Sequence, residues 1–203
     1  MAAAAAVVAA VVPAHAGAQK AQMTDPAGDA NAINSQPTLG VPGVPNPNAA
    51  TAPASYSADD IVSVSFVNNF VTKKVKRKTV KTFTSFTATM TLSAAPDPAH
   101  SYYAVTATSA DCPDGITFEY STQPSILAFD DVNCYDSGAG SFNDYPATAA
   151  VVKGNTISWT VAASGMKTGT VLKELGAYAG LGFIGGMPTV DEASSAATFT
   201  VGK

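Results

Sequence analysis

Alternation with a period of two runs through most of this chain. Val62, Val64 and Phe66 alternate with Ser63 and Ser65, and Phe86, Ala88, Met90 and Leu92 alternate with Ser85, Thr87, Thr89 and Thr91. Such spacing puts one side of a strand in a core and the other in water. The segments starting at Ile61 and spanning 83–92 are expected to pair as a long hairpin. Further strands are predicted over 102–108 and 116–120, and over 170–178 in preference to one helical turn, with 197–201 closing the chain. Residues 149–153 and 156–161 flank Gly154-Asn155, which tolerate the positive φ of a tight hairpin turn. Ile157, Trp159 and Val161 fall on one side, so Trp159 is expected in the core. Seven or eight short strands without a convincing amphipathic helix predict an all-β fold: one antiparallel β-sandwich domain, immunoglobulin-like or jelly-roll-like.

Two segments break the pattern. Residues 2–12 are an unbroken run of Ala and Val, and Pro13-Ala14-His15-Ala16 ends it with the small residues that signal peptidase reads. A signal peptide over 1–16 and a secreted protein are therefore expected. No Lys or Arg precedes the run, which leaves the true start codon open. The run is shorter than the roughly 20 apolar residues a bilayer demands, so no membrane span is expected. Residues 17–58 hold an acidic turn at 25–31 and then a stretch rich in Pro, Gly, Asn and Ala, a long loop or semi-rigid linker. The sandwich itself is assigned to 59–203, with the 25–31 turn packing onto it.

Composition narrows the function classes. A net charge of −4 argues against a nucleic-acid partner, and no nucleotide motif occurs. Cys112 and Cys134 are expected to pair, because an exported chain with two thiols most simply oxidises them; a free reactive thiol is the alternative. Zinc would need more ligands than the one histidine beyond the signal, His100, supplies. The same scarcity leaves Ser-His-Asp and Cys-His chemistry without a base except at His100, next to a turn-like Asp97-Pro98-Ala99. A glycosidase needs only two facing carboxylates, so an enzyme stands third. Ahead of it come a non-catalytic binding module and a structural or adhesive protein that binds another protein. A monomer is expected.

The charged residues are grouped. Asp25, Asp29 and Asn31 offer oxygens at alternate positions of a turn bent at Gly28, and Asp59 and Asp60 stand just before the first strand. Calcium takes six to eight such oxygens from flexible loops; ordinary turn chemistry is the competing reading. A second acidic group, Asp130, Asp131, Asn133 and Asp136 around Cys134 with Asp111 and Asp114 around Cys112, reads first as turns. Lys73, Lys74, Lys76, Arg77, Lys78 and Lys81 gather six of the 11 basic residues at the hairpin tip. They form either a solvated tip guarding the strand edges or a contact for polyanions such as teichoic acid, anionic polysaccharide or phospholipid headgroups.

Asp25-Pro-Ala-Gly-Asp29-x-Asn31, followed by Ser57-Ala58-Asp59-Asp60-Ile61, resembles the opening of DOMON-like domains related to family 9 carbohydrate-binding modules. The resemblance implies a secreted bacterial β-sandwich with a structural calcium held by Asp25, Asp29, Asn31 and Asp60, and a carbohydrate or cell-wall ligand. Its motif content is confined to the N-terminal portion. Relatives that bind sugars use exposed aromatics, for which Tyr102, Tyr135 and Tyr145 are the candidates here, since Trp159 points inward. Relatives that bind haem use Met and His; Met90 reads as core and His100 as turn, so no haem is expected.

Overall fold

The computed structural model describes residues 22–28, 30, 57–75, 78–99, 101–122, 128–181 and 189–203. Among the described residues twelve strands form two antiparallel sheets packed face to face as one sandwich. The first sheet has the order β1 (Met23–Thr24), β2 (Ile61–Val75), β3 (Lys78–Leu92), β9 (Thr156–Ala162), β8 (Ala147–Lys153). The second has the order β11 (Thr189–Ser195), β10 (Val171–Leu181), β4 (Ser101–Thr108), β5 (Ile116–Thr122), β6 (Ala128–Asp136), β7 (Ser141–Asp144), and β12 (Phe199–Thr200) also pairs with β10. The signal segment, the 37–55 linker and His100 lie outside the described residues.

The alternating positions meet between the sheets. Val64, Phe66, Phe86, Met90, Ile157 and Trp159 of the first sheet pack on Tyr103, Val105, Ile116, Phe118 and Leu175 of the second, all essentially inaccessible. Phe118 stands edge-on to three rings of the opposite sheet, Phe66 at 6.0 Å, Phe86 at 6.2 Å and Trp159 at 6.3 Å. Edge-to-face contacts of this kind add to the large area such rings bury. The Trp159 indole N–H donates to the Glu119 backbone carbonyl at 2.9 Å, so its one polar atom also ties the sheets together. Met90 is core, as its alternation indicates.

Pattern reading undercounted the strands. It placed neither β1, β6, β7 nor β11. Its hairpin also runs further than the hydrophobic alternation: β2 and β3 stay paired to Val75 and Lys78, so Lys73, Lys74, Lys78 and Lys81 stand on paired strands and not in a loop. The Gly154-Asn155 turn joins β8 and β9 as expected, with Gly154 at φ 60. Asn68, buried on β2, was not singled out; its side-chain amide donates to the Thr200 and Lys203 carbonyls and accepts from the Gly202 N–H, clamping the C-terminus.

Charge divides between the sheets. The strands of the first contain Lys73, Lys74, Lys78, Lys81 and Lys153 and no acid. Those of the second contain Glu119, Asp130, Asp131, Asp136, Asp144, Glu174, Asp191 and Glu192, with Lys173 the one base.

Candidate binding faces

The outward face of the second sheet is built by register. Tyr178 lies opposite Ala104, Ala104 opposite Glu119, Glu119 opposite Asp131, and Asn133 opposite Asp144, so residues of five strands share one surface. Their side chains form a connected patch. The Tyr102 hydroxyl donates to Glu119 Oε1 at 2.5 Å, the Tyr178 hydroxyl reaches the Tyr102 hydroxyl at 3.4 Å, and Asn133 Nδ2 donates to Glu119 Oε2 at 3.3 Å and to Asp131 Oδ1 at 3.4 Å. The Tyr102 ring lies between Tyr178 and Phe129, with both centroids 5.6 Å away. At 2% exposure Tyr102 braces this patch, leaving the half-buried Tyr178 and Phe129 rings at its surface.

The electrostatics follow from crowding acids on a half-buried surface. Burial raises the Glu119 carboxyl above the usual carboxylate range, aided by the neighbouring Asp131. Burial also raises Asp131, helped by Asp144 and Asp130. The two residues are direct register partners, and Asn133 Nδ2 donates to both carboxyls. Asn133 is 4% exposed, and its Oδ1 is buried without a hydrogen bond.

The other two tyrosine candidates lie elsewhere. Tyr135 sits on the same strand as Phe129, six residues further on, and with Phe142 at 5.0 Å forms an exposed aromatic pair at the far end of the face. Tyr145 instead packs against the core and lines a depression of about 330 Å³ with Asp111, Met166 and Lys167.

The second acidic group divides as well. Asp114 takes hydrogen bonds from the Ser137 N–H and hydroxyl, which hold its carboxyl below the usual range, and Asp136 accepts from the Gly138 and Ala139 N–H groups. These two are turn chemistry. Asp130, Asp131 and Asn133, however, stand on β6 and not in a turn.

The N-terminal acids come together in part. β1 pairs with the start of β2, the Asp25 N–H donates to the Val62 carbonyl at 3.0 Å, and the Gly28 N–H donates to Asp60 Oδ2 at 2.7 Å. Gly28 makes this approach at φ 90, a conformation suited to glycine. The Ser93 hydroxyl also bonds Asp60 Oδ2, while Asp60 Oδ1 is buried without a hydrogen bond. Next to it Asp59, 1% exposed, is raised by burial, an effect the neighbouring Ser101 and Tyr103 hydroxyls partly offset. Asp29 and Asn31 lie outside the described residues. Among the described residues no three His, Cys, Asp or Glu side chains gather as a metal-binding group.

Cys112 and Cys134 are bonded, joining the β4–β5 connection to β6, and no other cysteine exists. Among the described residues no helix is long and apolar enough to cross a membrane. Of the six basic residues, Lys73, Lys74, Lys78 and Lys81 are exposed on the ribbon, and Lys76 and Arg77 lie outside the described residues. No protein-family model, curated protein or solved structure matches the chain. What the fold and its bond define is a disulfide-linked antiparallel β-sandwich.

Proposed function

We propose that this is a secreted, non-catalytic module that binds carbohydrate, such as a cell-wall glycan, on the outward face of its second sheet. The observation that carries the reading is the patch in which the Tyr178 and Phe129 rings flank the Glu119, Asp131 and Asn133 polar groups. An apolar sugar face stacks on an aromatic ring, and carboxylates and an amide accept and donate to its hydroxyls. Binding is favoured over hydrolysis because the Glu119 and Asp131 carboxyls stand side by side on one sheet face, sharing Asn133 Nδ2 as a donor, whereas catalytic carboxyls flank the scissile bond from opposite sides.

Calcium fits the N-terminal turn as a stiffener. The buried, hydrogen-bond-free Oδ1 of Asp60 is an oxygen of the right kind, and the backbone brings Asp25 to the same strand end. Asp25, Asp29, Asn31 and Asp60 are the residues that would hold the ion, which would fasten the N-terminus to β2 and supply no chemistry. A structural or adhesive role is the second reading. It is favoured by β8, whose edge position carries Val151 and Val152 at 59% and 40% exposure.

Retention on a panel of bacterial and plant polysaccharides tests the first proposal. At least one neutral glycan is expected to bind, with Tyr178→Ala weakening it roughly tenfold, the loss of about 1.4 kcal/mol that one stacked ring supplies. If no glycan binds, or if Tyr178→Ala and Asn133→Ala bind as the parent does, the face is not a glycan site. For the ion, calcium is expected to raise the melting temperature over that in chelator, and less so in Asp60→Asn. An unchanged melting temperature would remove calcium from the account.

A further inference from the structure

Among the described residues no third strand pairs with the outer part of the β2–β3 hairpin. β9 pairs with β3 only between Ser85 and Thr91, and β1 pairs with β2 only at Ser63 and Val64. Beyond that point Phe70–Val75 and Lys78–Phe83 continue as a two-stranded ribbon, held by their own ladder and by the Phe70–Phe83 ring pair at 5.9 Å. Phe83 still packs against the core and Phe70, Val71 and Thr72 are half-buried, so the exposed part is Lys73–Val75 with Lys78–Thr82, roughly 10 Å of strand at about 3.3 Å per residue. No acid occurs between Ile61 and Pro96 to neutralise it.

Register fixes where the lysines point. Lys73 faces Val80 and Val75 faces Lys78, so Lys73 and Lys78 form a diagonal pair on one face. Thr72 faces Lys81 and Lys74 faces Thr79, so Lys81 and Lys74 form the matching diagonal on the other. Diagonal neighbours stand about 7–8 Å apart. Edge protection alone needs charge somewhere on the ribbon; it does not need a repeated pair on each face.

We propose that this ribbon is a binding element for a flexible, linear phosphodiester polymer of the poly(glycerol phosphate) type, separate from the glycan face. Each phosphodiester keeps its single charge at any physiological pH and offers two free oxygens to an ammonium group. A flexible chain can pass over an edge and meet both diagonals. A planar lipid surface meets only one face, which is why the polymer and not the membrane is the partner. The acidic second sheet repels the same polymer and confines contact to the ribbon.

The test uses the full chain with poly(glycerol phosphate), phosphatidylglycerol vesicles, duplex DNA and polygalacturonate as separate probes. Retention by poly(glycerol phosphate) is expected, weakening as salt rises with a log–log slope between about −2 and −3, the value for four neutralised charges at the single-strand factor. Lys73→Gln/Lys74→Gln/Lys78→Gln/Lys81→Gln should abolish it, and Lys153→Gln/Lys167→Gln should leave it intact. The four ribbon lysines are exposed, so unchanged melting of the quadruple variant confirms that the fold is retained. Equal retention by the quadruple variant, or retention that ignores salt, overturns the proposal. So does stronger binding to vesicles, DNA or polygalacturonate than to poly(glycerol phosphate). Low-salt self-association lost in the quadruple variant, without polymer binding, would also overturn it and assign the ribbon to the acidic sheet of a second copy. Tyr178→Ala should bind this polymer normally, which separates a failure here from a failure of the glycan face.

Discussion

The two outward faces of the sandwich solve the same problem in opposite ways. On the first sheet Thr87 bonds Thr160 at 2.9 Å, Thr89 bonds Ser158 at 3.0 Å, and Asn69 donates to both Ser85 and Thr87 at 3.0 Å. Short neutral side chains satisfy one another across strands. On the second sheet Tyr102, Tyr178, Glu119, Asp131 and Asn133 are larger, include two carboxyls and are buried or half-buried, and one Asn133 oxygen is left without a partner. A face that is already satisfied has little to offer a ligand. A face that retains unmet polar capacity beside aromatic rings holds free energy that a ligand can recover.

The disulfide belongs to the second sheet alone, so its removal is the largest expected discriminator. Cys112→Ala/Cys134→Ala frees a link spanning 22 residues and should cost about 3 kcal/mol in the loop-entropy treatment. Hydrogen exchange is expected to accelerate in β5 and β6 more than in β3 and β9. Uniform acceleration would mean that the two sheets open as one unit and that the distinction between them is confined to their surfaces.

A smaller break targets the hydroxyl ladder. Thr87→Val removes the partner of Thr160 and one of the two partners of Asn69, and should cost about 1 kcal/mol by denaturant melting. Glycan retention should not change. Loss of glycan binding in this variant would place the ligand on the first sheet and reverse the assignment of the two faces.

The first sheet was far more legible in the sequence than the second, and the reason is physical. In β3 from Ser85 onward and in β9 every inward position is apolar and every outward one is Ser or Thr, apart from Ala162 at the end of β9, so burial writes a clean period of two. In β6 the inward side holds Val132 and Cys134 between Asp130 and Asp136, and the outward side is Phe129, Asp131, Asn133 and Tyr135. Acids and asparagine there carry the signature of a turn, and Asp114 and Asp136 do cap one. The β2–β3 ribbon was hidden for the converse reason: hydrophobic alternation stops where the core stops, while hydrogen-bonded pairing continues. The disulfide and the buried Trp159 were readable because each depends on a single residue type. Recognising Tyr178 and Phe129 as neighbours of Glu119 required the register of four strands, which no local pattern encodes.

Acid chemistry offers a finer test. Glu119, Asp131 and Asp59 have carboxyls raised by burial, so in the interval between their unfolded and folded values the folded state binds more protons. Stability must then fall as pH rises from the ordinary carboxylate range through those raised values. Glu119→Gln relieves the like-charge pair directly opposite Asp131 and should add roughly 0.2–1 kcal/mol at neutral pH, with little gain in acid. Melting curves across pH check the sign. A loss of stability at neutral pH would mean that the carboxylate form is the one the patch prefers.

The smallest expected effect is the most specific to the comparison. Thr89 and Ser158 satisfy each other on the first sheet, so removing both hydroxyls leaves no orphan. Thr89→Val/Ser158→Ala should therefore lie within about 0.5 kcal/mol of the parent although either single change costs more, because a lone buried partner bears the desolvation penalty and a deleted pair does not. The same double-mutant design on Tyr102 and Glu119 should not cancel, since Glu119 also accepts from Asn133 and stands opposite Asp131. Tyr102→Phe/Glu119→Gln is accordingly expected to keep a coupling of about 0.5–3 kcal/mol, the range for residues in one network. Equal cancellation on both faces would show that the second sheet's patch is a set of independent pairs, and its claim to hold unmet polar capacity for a ligand would lapse.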